Sequence, residues 1–259
     1  ADAAVTIGQL KPAKDMLKSL KKLEPSEKEK SEIFYLEGRL AEADGKREEA
    51  IGKWEQALSI GERPIFVRAS AARIENLMRL EKINANDAIR ELEKLRYLWR
   101  GDEFEFQLLR RLGNLYLNQK GYQRGLKTLR QAVTYFSKHK DANSVTEEMT
   151  DTFNFLFLKD GADVLAPVSA IALFQDFQEL TPAGEEGNEM IRKLADRLVA
   201  VDLLEQAAML LDDQVRTRLK GVEKGEVGMN LAIIYAFDKR YKDMVSVLDS
   251  TKVAGLSES

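Results

Sequence analysis

A single histidine, His139, and no cysteine occur among the 259 residues. Thiolate nucleophiles, disulfides, iron–sulfur clusters and cysteine zinc sites are therefore excluded, and a multi-histidine metal site cannot be assembled. Acid–base chemistry would have to come from carboxylates. Four adjacent pairs exist, Glu48–Glu49, Glu147–Glu148, Glu185–Glu186 and Asp212–Asp213. A catalytic pair needs two carboxylates converging on one substrate with one of them desolvated. Neighbours on a helix point about 100° apart, so these pairs read as solvated helix faces. Asp160 and Asp163 could offer oxygens to a calcium ion. Val164, Leu165 and Ala166 follow them, however, where an EF-hand loop needs further oxygens and a closing Glu, and a polar turn is expected. In Arg100-Gly101-Asp102 the spacing predicts that Gly101 ends one helix and Asp102 caps the next. His139 lies between Lys138 and Lys140 after the apolar run Val133–Phe136, where a helix C-terminus favours cations. Gly184–Gly187 is acidic and lacks the Lys-Ser/Thr of a phosphate loop. The expectation is a non-enzyme without cofactor or metal.

The elements that must position any site are helical. Apolar residues recur at intervals of three and four, as in Ile74, Leu77, Met78 and Ile89, Leu92, Leu95. Turn residues interrupt this rhythm at Glu24–Pro25, Asp44–Gly45, Gly61–Pro64, Asn84–Asn86, Gly101–Asp102, Lys120–Gly121, Asp160–Asp163, Thr181–Gly187 and Gly221–Gly225. An all-α chain of short helices follows. With 44% hydrophobic residues it can bury a core, and 40 basic against 43 acidic residues speak against a dedicated nucleic-acid binder. The longest apolar stretch, Val164–Phe174, is 11 residues long and contains Pro167. A membrane-spanning helix needs about 20. Ala1–Leu10 has neither the basic start nor the apolar run of a signal peptide.

Two segments repeat one spacing. Gly38, Ala50, Trp54 and Ala57 are matched at the same offsets by Gly113, Gly125, Leu129 and Ala132. Small residues twelve apart let two antiparallel helices approach, and the large residue four later fills the space between them. This pattern resembles the tetratricopeptide repeat (TPR), a helix–turn–helix unit of 34 residues. Leu112–Gly113, Tyr116, Tyr122, Gly125, Leu129 and Ala132 fall at its signature offsets, as do Gly38, Gly45, Ala50, Trp54 and Ala57. Weaker copies carry Leu194–Ala195, Leu198, Ala207 and Leu211, then Leu231–Ala232, Tyr235, Tyr241 and Leu248. Gly8, Ala13, Leu17 and Pro25 read as the second half of a unit. Segments 65–100 and 143–180 keep the helix-pair rhythm without the signature. The spacing drifts from 75 residues between Gly38 and Gly113 to 82 between Gly113 and Ala195.

The resemblance implies a right-handed TPR-like α-solenoid of stacked antiparallel helix pairs, about twelve or thirteen helices over residues 1–259, with 250–259 a flexible tail. The half-unit at the N-terminus and the want of a polar capping helix after Leu256 suggest a piece of a longer chain. The resemblance also implies that the first helix of each pair lines a concave groove. In the best-matching unit the groove residues would be Gln107, Arg110, Asn114, Leu117 and Asn118, joined by Tyr35 and Arg39 of the earlier unit. Arg and Asn there suit a peptide carboxylate and backbone. The neighbouring units depart from a carboxylate clamp, offering Glu189, Arg192, Asp196 and Val199, and then Glu226, Met229, Ile233 and Phe237.

Residues 86–140 hold 12 Lys/Arg against 6 Asp/Glu, whereas 141–213 hold 4 against 16. Such polarity can steer an oppositely charged partner or pair two copies. The expected function is a protein–protein interaction scaffold that binds a peptide or protein surface. The alternative is a structural, self-associating or intramolecular-docking module of a larger envelope protein. Tyr97–Tyr116 and Met190–Val215 are similar to parts of large secreted TPR-repeat proteins of Gram-negative bacteria. That similarity implies the periplasm, with the cytoplasm as the alternative.

Overall fold

The structure, a computed structural model, describes residues 8–61, 63–159 and 161–252. Among these it holds thirteen α-helices. They are α1 (Leu10–Lys21), α2 (Glu27–Ala43), α3 (Arg47–Ile60), α4 (Ile65–Arg79), α5 (Ala85–Leu98), α6 (Glu103–Asn118), α7 (Tyr122–Tyr135), α8 (Ala142–Leu158), α9 (Pro167–Asp176), α10 (Glu185–Val199), α11 (Leu204–Thr217), α12 (Gly221–Phe237) and α13 (Tyr241–Ser250). Short 3-10 turns at Gly161–Val164 and Gln178–Leu180 flank α9. Among the described residues no helix is long and apolar enough to cross a membrane. The chain divides into two compact units, Ala1–Thr146 and Glu147–Ser259.

One turn geometry recurs throughout. After α2 the chain takes a left-handed residue at Gly45, and Lys46 N–H donates to Ala41 O at 2.8 Å. The same six-to-one bond closes α6 (Gly121 to Tyr116, 2.8 Å), α10 (Leu203 to Leu198, 2.9 Å) and α12 (Arg240 to Tyr235, 2.8 Å), with Lys120, Asp202 and Lys239 left-handed. This arrangement satisfies the last helical carbonyls and turns the chain back on itself. It therefore makes antiparallel pairs of α2/α3, α6/α7, α10/α11 and α12/α13. A fifth such turn closes α4, with Glu81 left-handed and Lys82 N–H donating to Leu77 O at 2.8 Å, so α4/α5 is a pair of the same kind although its segment lacks the signature residues, and the fold is TPR-like in its own geometry.

Packing inside the pairs follows the small residues. Trp54 of α3 is fully buried over Gly38, where a β-carbon would lie 2.3 Å from the indole nitrogen. That nitrogen donates to Tyr35 O at 3.2 Å. Leu129 lies over Gly113 in the same way. In the first unit α1 buries Ala13 and Leu17 against Ile33 and Leu40, as a second-half helix would. Lys21 of α1 and Lys53 of α3 both pair with Glu37 of α2. Burial pushes the Glu37 carboxyl up, but the hydrogen bonds from Lys21 and Lys53 outweigh it and hold the group below its ordinary range.

The second unit departs from even pairing where the signature is missing. Its Phe153, Phe157 and Phe174 form an aromatic cluster with ring centroids 4.7 to 5.6 Å apart. Pro167 starts α9 at its first turn, where its missing N–H costs nothing. The first residues of the expected tail are packed. Ser250 closes α13, and Thr251 is buried over Gly228 with its hydroxyl donating to Val247 O at 2.7 Å. Residues 253–259 of that tail, and Asp160 of the expected polar turn, lie outside the described residues.

Candidate functional site

Gly101 is left-handed and Asp102 caps α6, its carboxylate accepting from Phe104 N–H and from the Trp99 indole, both at 2.9 Å. His139 lies in the turn after α7, stacked on Phe106 with centroids 3.7 Å apart. Its Nδ1 accepts the Asp141 backbone N–H at 3.1 Å and its Nε2 faces Glu103. The second nitrogen therefore carries the proton toward the carboxylate. Desolvation raises the Glu103 carboxyl, but hydrogen bonds from Gln107 and His139 prevail and hold it below the usual range. In two of the adjacent acidic pairs surface cations are met, Glu48 with Lys82 at 3.5 Å, Glu49 with Lys46 at 3.4 Å and Asp212 with Arg216 at 2.9 Å. Among the described residues no three His, Asp or Glu side chains come together in a metal-binding group.

The site worth building lies in the first unit. The first helices of three successive pairs, α2, α4 and α6, enclose a cleft of about 360 Å³. Its walls carry Tyr35, Arg39 and Glu42 from α2, Arg68 and Glu75 from α4, and Glu103, Phe104, Gln107 and Arg111 from α6. The acidic groups are engaged by neighbours. Glu42 accepts from Asn76 at 2.7 Å, Glu75 pairs with Arg79 at 2.7 Å and also with Arg111, and Glu103 accepts from Gln107 at 2.8 Å. Arg39 reaches the Tyr35 hydroxyl at 3.3 Å, and Arg68 stands 3.7 Å from Asp102. Three guanidiniums, an amide and an aromatic edge thus face one half-open space beside three carboxylates, with Arg111 engaged by Glu75 and Gln107 by Glu103, a mixed polar arrangement that can exchange partners with a peptide's carboxylates and carbonyls.

Three of the seven residues expected to line a groove, Tyr35, Arg39 and Gln107, meet in this cleft. Tyr35 does so while only 7% exposed, because its ring also belongs to the core around Trp54. The remaining four are placed elsewhere. Leu117 turns inward onto Gly125, where a β-carbon would meet its side chain at 2.4 Å. Arg110 reaches Ser144 of α8 at 3.2 Å. Asn114 is half-buried, Asn118 is exposed at the end of α6, and neither lines the cleft. Arg68, Phe104 and Arg111 were not anticipated. α4 carries no signature residue from which its register could be read, although the cationic Arg111 directly follows Arg110.

No family model matches the chain, and no curated protein matches it. Solved structures do align with it. In the Cut9–Hcn1 hetero-tetramer of APC/C the match is 14% identical, covers 99% of this chain and 46% of that one, and has a TM-score of 0.48. In a signal-transduction ATPase with a tetratricopeptide repeat sensor from Pyrococcus horikoshii it is 17% identical, over 96% and 40%, at 0.48. In PilF of Pseudomonas aeruginosa it is 17% identical, over 86% and 92%, at 0.41. The chain spans less than half the length of the first two. What its own turns, pair packing and cleft define is an all-α protein of TPR-like helix pairs.

Proposed function

We propose that this protein is a non-catalytic interaction module that holds an extended peptide or a loop of a partner protein in the α2–α4–α6 cleft. The observation that carries the reading is the convergence of Arg39, Arg68, Arg111 and Gln107, from three helices distant in sequence, on one open space edged by Tyr35 and Phe104. Stacked pairs present such a surface as a rigid row of side chains. Recognition there would use bidentate guanidinium contacts to acidic side chains or chain ends and amide contacts to peptide backbone. The similarity to secreted repeat proteins favours the periplasm for this role.

A second reading, self-association, is favoured by charge. From Lys120 to Lys140 there are six Lys/Arg and no acidic residue. On α11 of the second unit the exposed Met209 is flanked by exposed Glu205 and Asp213. These surfaces suit each other across two copies.

Selection of displayed peptides against the protein tests both readings. Peptides enriched on the wild type should bind the Arg39→Ala, Arg68→Ala, Gln107→Ala variant at least about tenfold more weakly. They should bind the Arg110→Ala, Asn114→Ala, Asn118→Ala variant as before. Loss with the second variant alone would move recognition to the α6–α8 side and sink the cleft. No enrichment, with a molecular mass that doubles as salt is lowered, would favour self-association.

A further inference from the structure

His139 is the only histidine of the chain, and there is no cysteine. No other side chain is of a type that ordinarily changes charge between about pH 5 and 8. Its ring is 11% exposed and lies in the turn between α7 and α8, stacked on the fully buried Phe106. Its two nitrogens join that turn to the cleft. Nε2 faces Glu103, the carboxylate of the α6 wall, whose other oxygen accepts from Gln107 at 2.8 Å. Nδ1 accepts the N–H of Asp141, the residue that precedes α8, at 3.1 Å.

Protonation acts on the two nitrogens unequally. At Nε2 a neutral donor becomes a cationic one, so the contact with Glu103 turns into an ion pair. At Nδ1 the added proton stands where the Asp141 N–H donates, and two donors cannot share that space. The ion pair with the cleft wall is therefore gained as the bond to the α8 start is lost. The other charged groups around the ring are Lys138, Lys140 and Asp141 of its own turn. The last turn of α7, Gln131–Tyr135, and the first of α8, Ala142–Val145, carry none, and Arg110 of α6 reaches Ser144. Glu103 is held below its ordinary range by Gln107 and His139, so it stays ionised as the imidazole titrates. The cleft balances three guanidiniums, Arg39, Arg68 and Arg111, against the carboxylates of Glu42, Glu75 and Glu103. Cancelling one of those carboxylates tips the balance toward anions.

We infer that His139 is a positioning residue that makes the α2–α4–α6 cleft pH-sensitive, favouring acidic peptide segments when its imidazole is charged. The inference rests on the reading of that cleft as a peptide site and names how the site is regulated. In acid, His139 holds Glu103 as an ion pair and the cleft presents a net positive edge. Above neutrality the Glu103 charge stands uncancelled and repels an acidic segment.

A rhodamine-labelled tetraglutamate peptide, added to the whole protein at constant ionic strength, is the probe. The wild type should bind it at least about threefold more tightly at about pH 5.5 than at about pH 8. His139→Gln should hold the weaker affinity at both values and Glu103→Gln the tighter one, each with the far-UV dichroism of the wild type. The amide resonance of Asp141 should move across the same range in the wild type and stay in place in His139→Gln. Binding that the Arg39→Ala, Arg68→Ala, Gln107→Ala variant abolishes, but that is independent of pH in the wild type, overturns this inference and leaves the cleft. A pH dependence that survives in His139→Gln does the same. Absence of binding at both values overturns the reading of the cleft for acidic segments and this inference with it.

Discussion

At Gly38 a single methyl group would lie 2.3 Å from the Trp54 indole nitrogen, far inside any real carbon contact. The pair α2/α3 therefore holds its largest buried side chain by omitting a side chain opposite. Other pairs solve the same problem with different partners, Ala195 with Leu211 and Ala232 with Leu248 at the same two offsets. This predicts strong coupling between the two positions. Gly38→Ala alone should destabilise the first unit by about 1–3 kcal/mol through overpacking. In a Trp54→Leu background the same change should cost much less, because the α10/α11 combination is then recreated. A double-mutant cycle by urea denaturation measures the difference; an additive cycle would show that the indole moves aside without strain.

The helices owe their limits to local chemistry. Ser26 caps α2 with a reciprocal capping box to Glu29, and Asn84 caps α5 through Asp87 N–H at 2.9 Å. Asp102 does more than cap α6, since it also holds the Trp99 indole and faces Arg68 of the cleft. Asp102→Ala should cost about 1–2 kcal/mol, the upper part of the range for a lost N-cap, because a half-buried indole N–H also loses its acceptor. Asp102→Asn should retain most of that stability, as the amide oxygen still accepts from Phe104 N–H. Thermal unfolding of the two variants separates them. An Asn variant as unstable as the Ala variant would show that the carboxylate charge, not the cap, matters. The short α9 and its flanking 3-10 turns mark where pair packing gives way to an aromatic cluster. The longer spacing from Gly113 to Ala195 already pointed to that segment.

The molecule consists of two compact units, each built from nearest-neighbour packing. Stability in such stacks is a sum of local terms, and cooperativity across the chain is not assured. Both tryptophans, Trp54 and Trp99, lie in the first unit. Tryptophan fluorescence therefore reports the unfolding of that unit, while far-UV circular dichroism reports every helix. The expected outcome is two denaturation curves with different midpoints, the dichroism curve being the broader. Coincident curves would mean that the 259 residues unfold as one cooperative body, as a single uninterrupted array would.

Spacing in the sequence suffices for the helices, their pairing and the class of fold. The three- and four-residue apolar rhythm, the recurring small residues and the turn residues are all local, and local geometry obeys them. Thus spacing alone places Gly38, Trp54, Gly113 and Leu129, and it assigns Gly101–Asp102 to a helix boundary. Tertiary structure alone decided which side chains share a space. Leu117 was expected in a groove, but the close approach of α6 and α7 at Gly113 and Gly125 draws it inward. Arg39, Arg68 and Arg111 meet because three helices stack at offsets set by connections of unequal length, which no fixed repeat period encodes. Periodicity along one helix carries no record of its neighbour, because contacts between helices are fixed by packing over long separations in the chain.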